Sequence, residues 1–268
     1  MQQTHLTALN VIELNRCLLI AHRGYSQVAP ENTLPAFRLA LKAQCDLVEM
    51  DFHQTRDGQL IVIHDSELDR TTNARKLWKR KHIKVDTKTA AEILHLDAGR
   101  WFGSKYAGTR VPLLAQAVKI VQTRAVALLE RKNGNPAACL QVLRGTNCLN
   151  RVVVQSFDWE FLRQLHELEP KLILAALGPP SVVPHGKKAR KVFRRLNAAR
   201  VGAAQKAGVK VVVWNKRVSA RVVRLAHARG LKVWIYTINH PELGRRLVQR
   251  GVDGLITNEP SRLRKAIR

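Results

Sequence analysis

The run Val209–Thr257, VKVVVWNKRVSARVVRLAHARGLKVWIYTINHPELGRRLVQRGVDGLIT, decides the fold. Short apolar, β-branched stretches at Val209–Trp214, Leu231–Thr237 and Asp253–Thr257 alternate with Ala220–Ala228 and Pro241–Arg250, whose apolar residues recur at helical spacing. Pro241 stands where the first turn of a helix tolerates proline. Strands that are continuous apolar runs, separated by helices, indicate a parallel sheet covered on both faces. The same alternation extends towards the N-terminus. It gives candidate strands at Cys17–His22, Leu47–Asp51, Leu60–His64, Val126–Arg131, Val152–Ser156 and Leu172–Ala175, and helices at Thr33–Ala43 and Trp159–Leu168. About eight such units in one chain of 268 residues predict a (β/α)8 TIM barrel, as a single α/β domain. An open doubly wound sheet would require a GxGxxG after an early strand, and none is present.

Two stretches break the rhythm. Residues 66–112 are long for a βα connection and carry Lys76, Lys79, Arg80, Lys81 and Lys84. They read as a small insertion after the second strand, above the barrel rim where functional loops belong. Residues 178–200 hold Lys187, Lys188, Arg190, Lys191, Arg194, Arg195 and Arg200, either an anion-attracting arm or a solvated helix face.

Charge is distributed unevenly. The formal net charge is +26, from 46 Lys+Arg against 20 Asp+Glu. Residues 171–268 contain only three acidic groups, Glu242, Asp253 and Glu259. Such a surface points to an anionic partner: a phosphate-bearing substrate, an anionic membrane or nucleic acid. Aromatic residues make up 5% of the chain and no nucleic-acid-binding motif is present, so no specific nucleic acid is expected. No apolar run reaches the roughly 18 residues of a membrane span, and no secretory signal opens the chain. Cys17, Cys45, Cys139 and Cys148 lack metal-binding spacing. A reduced, cytoplasmic setting with peripheral membrane contact is the expectation.

The chemistry-bearing residues fall at strand ends, where a barrel keeps its active site. His22-Arg23-Gly24 closes the first strand. Glu49 and Asp51 alternate on the second and so face the same way. His64-Asp65 follows Leu60, and Glu130 and Lys132 share a face at the end of Val126–Arg131. Carboxylates gathered on one face repel unless a proton or cation sits between them, and a hard divalent cation with oxygen ligands fits Glu49, Asp51 and Glu130. Arg23 and Lys132 can neutralise a phosphodiester, and His22 and His64 can serve as general acid and base. No GxSxG elbow supports acyl-enzyme chemistry.

These residues lie in strings that resemble the glycerophosphodiester phosphodiesterase family: His22-Arg23-Gly24 with Ala29-Pro30-Glu31-Asn32-Thr33, Val48-Glu49-Met50-Asp51, Thr55-Arg56-Asp57-Gly58, and His64-Asp65 with Leu68-Asp69-Arg70-Thr71-Thr72-Asn73. Leu96-Asp97-Ala98-Gly99 with Trp101-Phe102 resembles that family's inserted segment. Later matches are Ser156-Phe157-Asp158, Thr237-Ile238-Asn239 and Gly251-Val252-Asp253-Gly254. The resemblance implies a TIM barrel that hydrolyses small glycerophosphodiesters to glycerol 3-phosphate and an alcohol. It implies Ca²⁺ or Mg²⁺ on Glu49, Asp51 and Glu130, acid–base catalysis by His22 and His64, phosphate binding by Arg23 and Lys132, and Trp234 at the pocket near the glycerol. A lysophospholipase D-like activity at anionic membranes, or a non-catalytic basic binder on the same barrel, are the alternatives. Asn32 reads as the N-cap of the following helix, and Asp65 and Arg70 as loop-fixing groups. Arg131, between Glu130 and Lys132, occupies a position that is usually apolar in the family, so either its charge snorkels to the surface or the strand ends before it.

Overall fold

A computed structural model describes residues 7–183, 187–188 and 195–267. In chain order the strands are β1 (Leu18–Ala21), β2 (Leu47–Gln54), β3 (Leu60–Val62), β4 (Val126–Arg131), β5 (Val152–Ser156), β6 (Ile173–Leu177), β7 (Val182–Val183), β8 (Lys187–Lys188), β9 (Val211–Asn215), β10 (Lys232–Tyr236) and β11 (Gly254–Thr257). The α-helices are α1 (Ala8–Ile12), α2 (Leu34–Lys42), α3 (Ala74–Trp78), α4 (Ala90–Leu94), α5 (Leu114–Val121), α6 (Pro136–Gly145), α7 (Trp159–Leu168), α8 (Ala198–Lys206), α9 (Ala220–His227), α10 (Pro241–Gln249) and α11 (Pro260–Ile267). Eight of the strands form the closed parallel barrel of the (β/α)8 class.

The chain divides into two compact units, residues 21–148 and residues 1–20 with 149–268. In the first, β2 pairs in parallel with β4, in a register that sets Glu49 beside Leu128 and Asp51 beside Glu130. All of β2 but Gln54 is buried. Its alternation puts Glu49, Asp51 and His53 on one face and Val48, Met50 and Phe52 on the other. Helix α2 begins after Thr33, has Pro35 in its first turn, and buries Ala36, Phe37, Ala40 and Leu41 along one stripe.

Leu60–His64 is shorter and different in kind from the parallel strand expected. β3 runs antiparallel to β2, with Phe52 opposite Val62 and Gln54 opposite Leu60. β2 therefore outruns β4, turns at residues 55–59 and folds back on itself. Gly58 adopts φ +82° in that turn, and the Thr55 hydroxyl donates to Asp57 (2.6 Å) and accepts from the Gln59 amide (3.0 Å).

The segment up to α5 is a small folded insertion with its own apolar core, including Ile61, Leu68, Ile83, Val85, Ile93 and Leu96. A capping box of Thr89 and Glu92 starts α4. Asn73 joins the two ends of this insert: its amide donates to the Asp97 carbonyl (3.0 Å) and its side-chain oxygen accepts from the Asp97 amide (2.8 Å).

In the second unit, β9, β10 and β11 pair in parallel as the alternation of sequence required, with Trp234 beside Val213 and Gly254. Asp158 caps α7, accepting from the amides of Glu160 and Phe161 (both 3.1 Å). Of the basic stretch 178–200, Lys187 and Lys188 form a short antiparallel ribbon with Val182 and Val183, and Arg200 lies in α8. Arg190, Lys191 and Arg194 lie outside the described residues. None of the four cysteines is in a disulfide. Among the described residues no helix is long and apolar enough to cross a membrane.

Candidate active site

Except for Trp234, every site residue read from the sequence lies in the first unit. The loop after β1 is the first contributor. Arg23 has φ +55° and Gly24 φ +77°, which turns the Arg23 amide onto Glu49 Oε2 (2.7 Å) and the Gly24 amide onto the Glu49 carbonyl (3.2 Å). A Cβ on Gly24 would come within 2.7 Å of the Ala36 backbone, so this position takes no side chain. A residue such as Arg23, held at positive φ without being glycine, marks strain concentrated at a site.

The register of β2 and β4 brings the three carboxylates together. Glu49, Asp51 and Glu130 are all buried, and one ligand oxygen from each lies within 4.8 Å of the others. Lys132, next on the same face, reaches Glu130 with a short ion pair and Asp51 Oδ1 at 3.1 Å. Arg23 Nε lies 3.4 Å from Asp51 Oδ2. Burial pushes the Glu49 carboxyl well above its usual range, and the charges on Asp51 and Glu130 push it further. Burial and then Asp51 raise Glu130 to about 7, despite Lys132. Against the cost of burial, Lys132 and Arg23 hold Asp51 low.

Three carboxylates facing two cations leave the cluster short of positive charge. Glu49 Oε1 is buried with no hydrogen-bond partner, and Asp51 Oδ1 has only the Lys132 ion pair, which lacks hydrogen-bond direction. Hard, anionic, under-satisfied oxygens converging at one point fit a hard divalent cation.

His64 reaches the same neighbourhood by the fold-back of β3, where the Ile63 amide donates to the Asp51 carbonyl (3.0 Å). Its Nδ1 lies 2.6 Å from Asp65 Oδ1. Arg70 holds Asp65 ionised, so Asp65 only accepts and Nδ1 carries the proton. Burial, with Lys132 and Arg23 nearby, lowers the His64 pKa below the ordinary histidine value, against the pull of Asp51.

Arg70 also reaches the loop after β1. It donates to Asp65 (2.6 and 3.0 Å) and to Glu31 (2.7 and 3.0 Å), while Arg23 Nη1 donates to Glu31 Oε1 at 2.9 Å. One guanidinium thus joins the partner of His64 to the partner of Arg23.

His22 stands half-buried at the end of β1, its carbonyl accepting from the Ser26 hydroxyl (2.8 Å).

Some placements differ from the expectations. Asn32 is not the cap of α2; Thr33 occupies that position. Asn32 instead sits at φ +58° with its side chain buried against Asp51: Nδ2 donates to Asp51 Oδ2 (2.8 Å), and Oδ1 accepts from the Asp51 amide (3.1 Å). Asparagine tolerates this left-handed backbone better than other residues with a Cβ. Trp234 is wholly enclosed within β10 and presents no exposed face; its ring fills the space over Gly254. The half-exposed ring of that strand is Tyr236, whose hydroxyl donates to the Gly178 carbonyl (2.7 Å). Arg131 is half-buried, with Nε donating to the Gly134 carbonyl (2.9 Å), so its charge leaves the helix-facing layer.

Two contributors had gone unread. Glu31 has no signal in the sequence beyond its place in Ala29-Pro30-Glu31-Asn32-Thr33. His53 continues the alternation of Glu49 and Asp51, and that period-two spacing was its available signal. It is buried, its Nε2 donates to the His64 carbonyl (3.1 Å), and burial lowers its pKa.

Comparison with known proteins gives a consistent result. The model of the glycerophosphoryl diester phosphodiesterase family matches residues 22–262. A glycerophosphodiester phosphodiesterase of Bacillus subtilis is 30% identical, over 96% of this chain and 88% of its own. One from Caldanaerobacter subterraneus is also 30% identical, over 94% of this chain and 98% of its own. Among solved structures, an Oleispira antarctica phosphodiesterase in complex with the product sn-glycerol-3-phosphate superposes with a TM-score of 0.81, at 25% identity over 94% of this chain and 97% of that one.

Proposed function

The chain belongs to the glycerophosphoryl diester phosphodiesterase family and is an enzyme of phosphodiester hydrolysis; on that premise we propose how its own residues divide the reaction. The substrate class is small glycerophosphodiesters, cleaved to glycerol 3-phosphate and an alcohol. Glu49, Asp51 and Glu130 hold one divalent cation, Ca²⁺ or Mg²⁺. When bound, that ion supplies Lewis-acid polarisation and charge for the phosphoryl oxygens.

Arg23 and Lys132 neutralise the phosphate, and their own anchoring to Glu31 and to Asp51 and Glu130 fixes where they point. His64 is the general base. With its Nδ1 proton committed to Asp65 and its pKa lowered, it is neutral at pH 7, and its Nε2 lone pair takes the proton of the water whose oxygen bonds to phosphorus. His22 is the general acid, passing a proton to the departing alkoxide as the P–O bond breaks. Asn32 orients Asp51, and His53 fixes the backbone of His64. Arg70 is a positioning residue for both arms.

The observation that carries this reading is the buried, under-compensated trio Glu49, Asp51 and Glu130 in the same unit as His22 and His64. Its test is release of glycerol 3-phosphate from glycerophosphocholine, with Ca²⁺, with Mg²⁺ and after chelation. Turnover is expected to need the cation and to fall about 10²–10⁴-fold in His22→Ala and in His64→Ala. Undiminished turnover after exhaustive chelation, or in the doubly substituted enzyme, would sink the assignment.

The excess of cations over acids favours peripheral contact of the enzyme with an anionic membrane surface. Lysophospholipids presented at such a surface are the second substrate class to compare with soluble glycerophosphocholine.

A further inference from the structure

The first unit carries a concentration of charge that the reaction does not use. Residues 75–81 hold five exposed cations, Arg75, Lys76, Lys79, Arg80 and Lys81, around an open hollow of about 520 Å³. Among the described residues, none of these five side chains has an ion-pair or hydrogen-bond partner. The one carboxylate lining the hollow, Asp69, accepts instead from the backbone amides of His82 (2.8 Å) and Ile83 (3.1 Å). Like charges at this density repel, and the fold holds them together nonetheless. Ala74 is buried in the insert's core, and Asn73 is locked to Asp97 from both sides.

The second unit is more basic in sequence, but several of its cations are occupied. Arg245 pairs with Glu242 and Arg262 with Glu259, while Arg250 and Arg229 donate to the carbonyls of Val218 and Ala198 (both 3.1 Å). Five unpaired cations within seven residues are a different arrangement.

Leu77 discriminates between anionic partners. It is 54% exposed in the middle of the five cations. A small soluble anion gains nothing from an exposed leucine. A single-stranded nucleic acid would seek an exposed ring to stack on, but the ring of Trp78 lies under Lys88, 4.3 Å from its Nζ. A lipid surface rewards both features at once, cations at the headgroups and an apolar side chain at the acyl boundary.

We propose that residues 75–81, the last four of α3 and the three that follow, are the place where this enzyme docks on an anionic lipid bilayer, with their cations on the lipid phosphates and Leu77 in the interface. The proposal rests on the peripheral-membrane reading of the charge excess and assigns that contact to one surface, in the unit that also holds the catalytic groups.

The test is sedimentation of the full chain with vesicles of equal parts phosphatidylglycerol and phosphatidylcholine, with phosphatidylcholine vesicles alone, and with single-stranded DNA, all at low ionic strength. Wild type is expected to bind the anionic vesicles and not the neutral ones, with binding lost as salt rises. Each cation near the surface is worth about fivefold, so K79Q/R80Q/K81Q is expected to lose about a hundredfold in partitioning. L77Q, with charge unchanged, is expected to lose several-fold. Turnover of soluble glycerophosphocholine stays at the wild-type level in both variants, which also shows that they are folded. Vesicle binding undiminished in K79Q/R80Q/K81Q overturns this placement and leaves the membrane reading standing. No wild-type binding at low salt overturns both. Tighter binding to DNA than to vesicles, unchanged by L77Q, overturns the bilayer as partner.

Discussion

Two clusters of carboxylates in the same unit are built on opposite principles. Glu31 and Asp65 lie near the surface, and their oxygens are claimed by Arg70, Arg23 and His64 in directed hydrogen bonds. Both are held low in pKa, Asp65 chiefly by its bonds to Arg70, Glu31 by Arg70 and Arg23 against the cost of burial. Glu49, Asp51 and Glu130 are buried, outnumber their cations and leave oxygens unsatisfied; two of the three are pushed up in pKa. A satisfied cluster is scaffold. An unsatisfied buried one stores a deficit that a ligand removes, since leaving buried polar groups unpaired is otherwise costly. The difference suits the first cluster to orientation and the second to the cation binding proposed for it.

The sharpest way to break this contrast is Glu49→Gln. Activity should fall about 10³-fold. The rise in melting temperature given by Ca²⁺ or Mg²⁺ should vanish, while the cation-free protein is about as stable as wild type, because Gln keeps the shape of a carboxyl whose ionisation burial and Asp51 already disfavour. A cation-induced shift that survives in this variant would remove Glu49 from the site.

A smaller and more selective effect is expected at the satisfied cluster. Asp65→Asn should lower kcat about 10²-fold with KM little changed, because it disturbs the proton on His64. Glu31→Gln should raise KM about tenfold, because it loosens Arg23. Arg70→Gln should move both parameters, Arg70→Lys should recover part of the loss, and Arg70→Gln combined with Asp65→Asn should cost less than the product of the two. Equal changes in kcat and KM across this set would dissolve the two-arm division.

The smallest effect is on stability against pH. Glu130 titrates at about 7 in the fold against an ordinary 4.5, so between these values the folded protein binds more protons than the unfolded chain. Its stabilising contribution is present below about pH 4.5 and is lost as pH rises through about 7; Glu49, also raised, acts in the same direction. His64 and His53, both lowered, act in the opposite direction, so the effect is read as a difference: between pH 5 and pH 8 the melting temperature of the cation-free enzyme should fall by about 2–4 °C relative to that of Glu130→Gln. Added Ca²⁺ should be more stabilising at the upper end. A difference between wild type and Glu130→Gln that stays constant over this interval would contradict the cluster's charge balance.

Much of this site is legible in the sequence. Period-two alternation put Glu49 with Asp51, and Glu130 with Lys132, and strand boundaries from Val126 to Arg131 and from Val152 to Ser156 fell where the structure has them. What alternation could not supply was register between strands, which is what puts Asp51 beside Glu130. Local pattern also misled at Asn32. A polar residue before a helix is the ordinary signature of a cap, and only the backbone turn at positive φ directs its amide inward to Asp51. Trp234 misled for a related reason: a large aromatic on an inward strand face satisfies a pocket and a packed core equally well in sequence, and the core took it. Arg70 was legible as a loop residue, but its bond to Glu31 spans 39 positions in sequence and has no local signature.

On the roles proposed for His64 and the three carboxylates, the hairpin of β2 and β3 makes alignment a catalytic variable. The three carboxylates sit on barrel staves whose register is fixed by neighbours, whereas His64 is delivered by a ribbon whose length is set by the five-residue turn Thr55–Gln59. Shifting that ribbon by one residue would move His64 by about 3.3 Å and turn it to the opposite face. The turn therefore works as a vernier between two separately built tools, a grip for the cation and an arm for the proton. A deletion there would leave the grip intact and silence the arm.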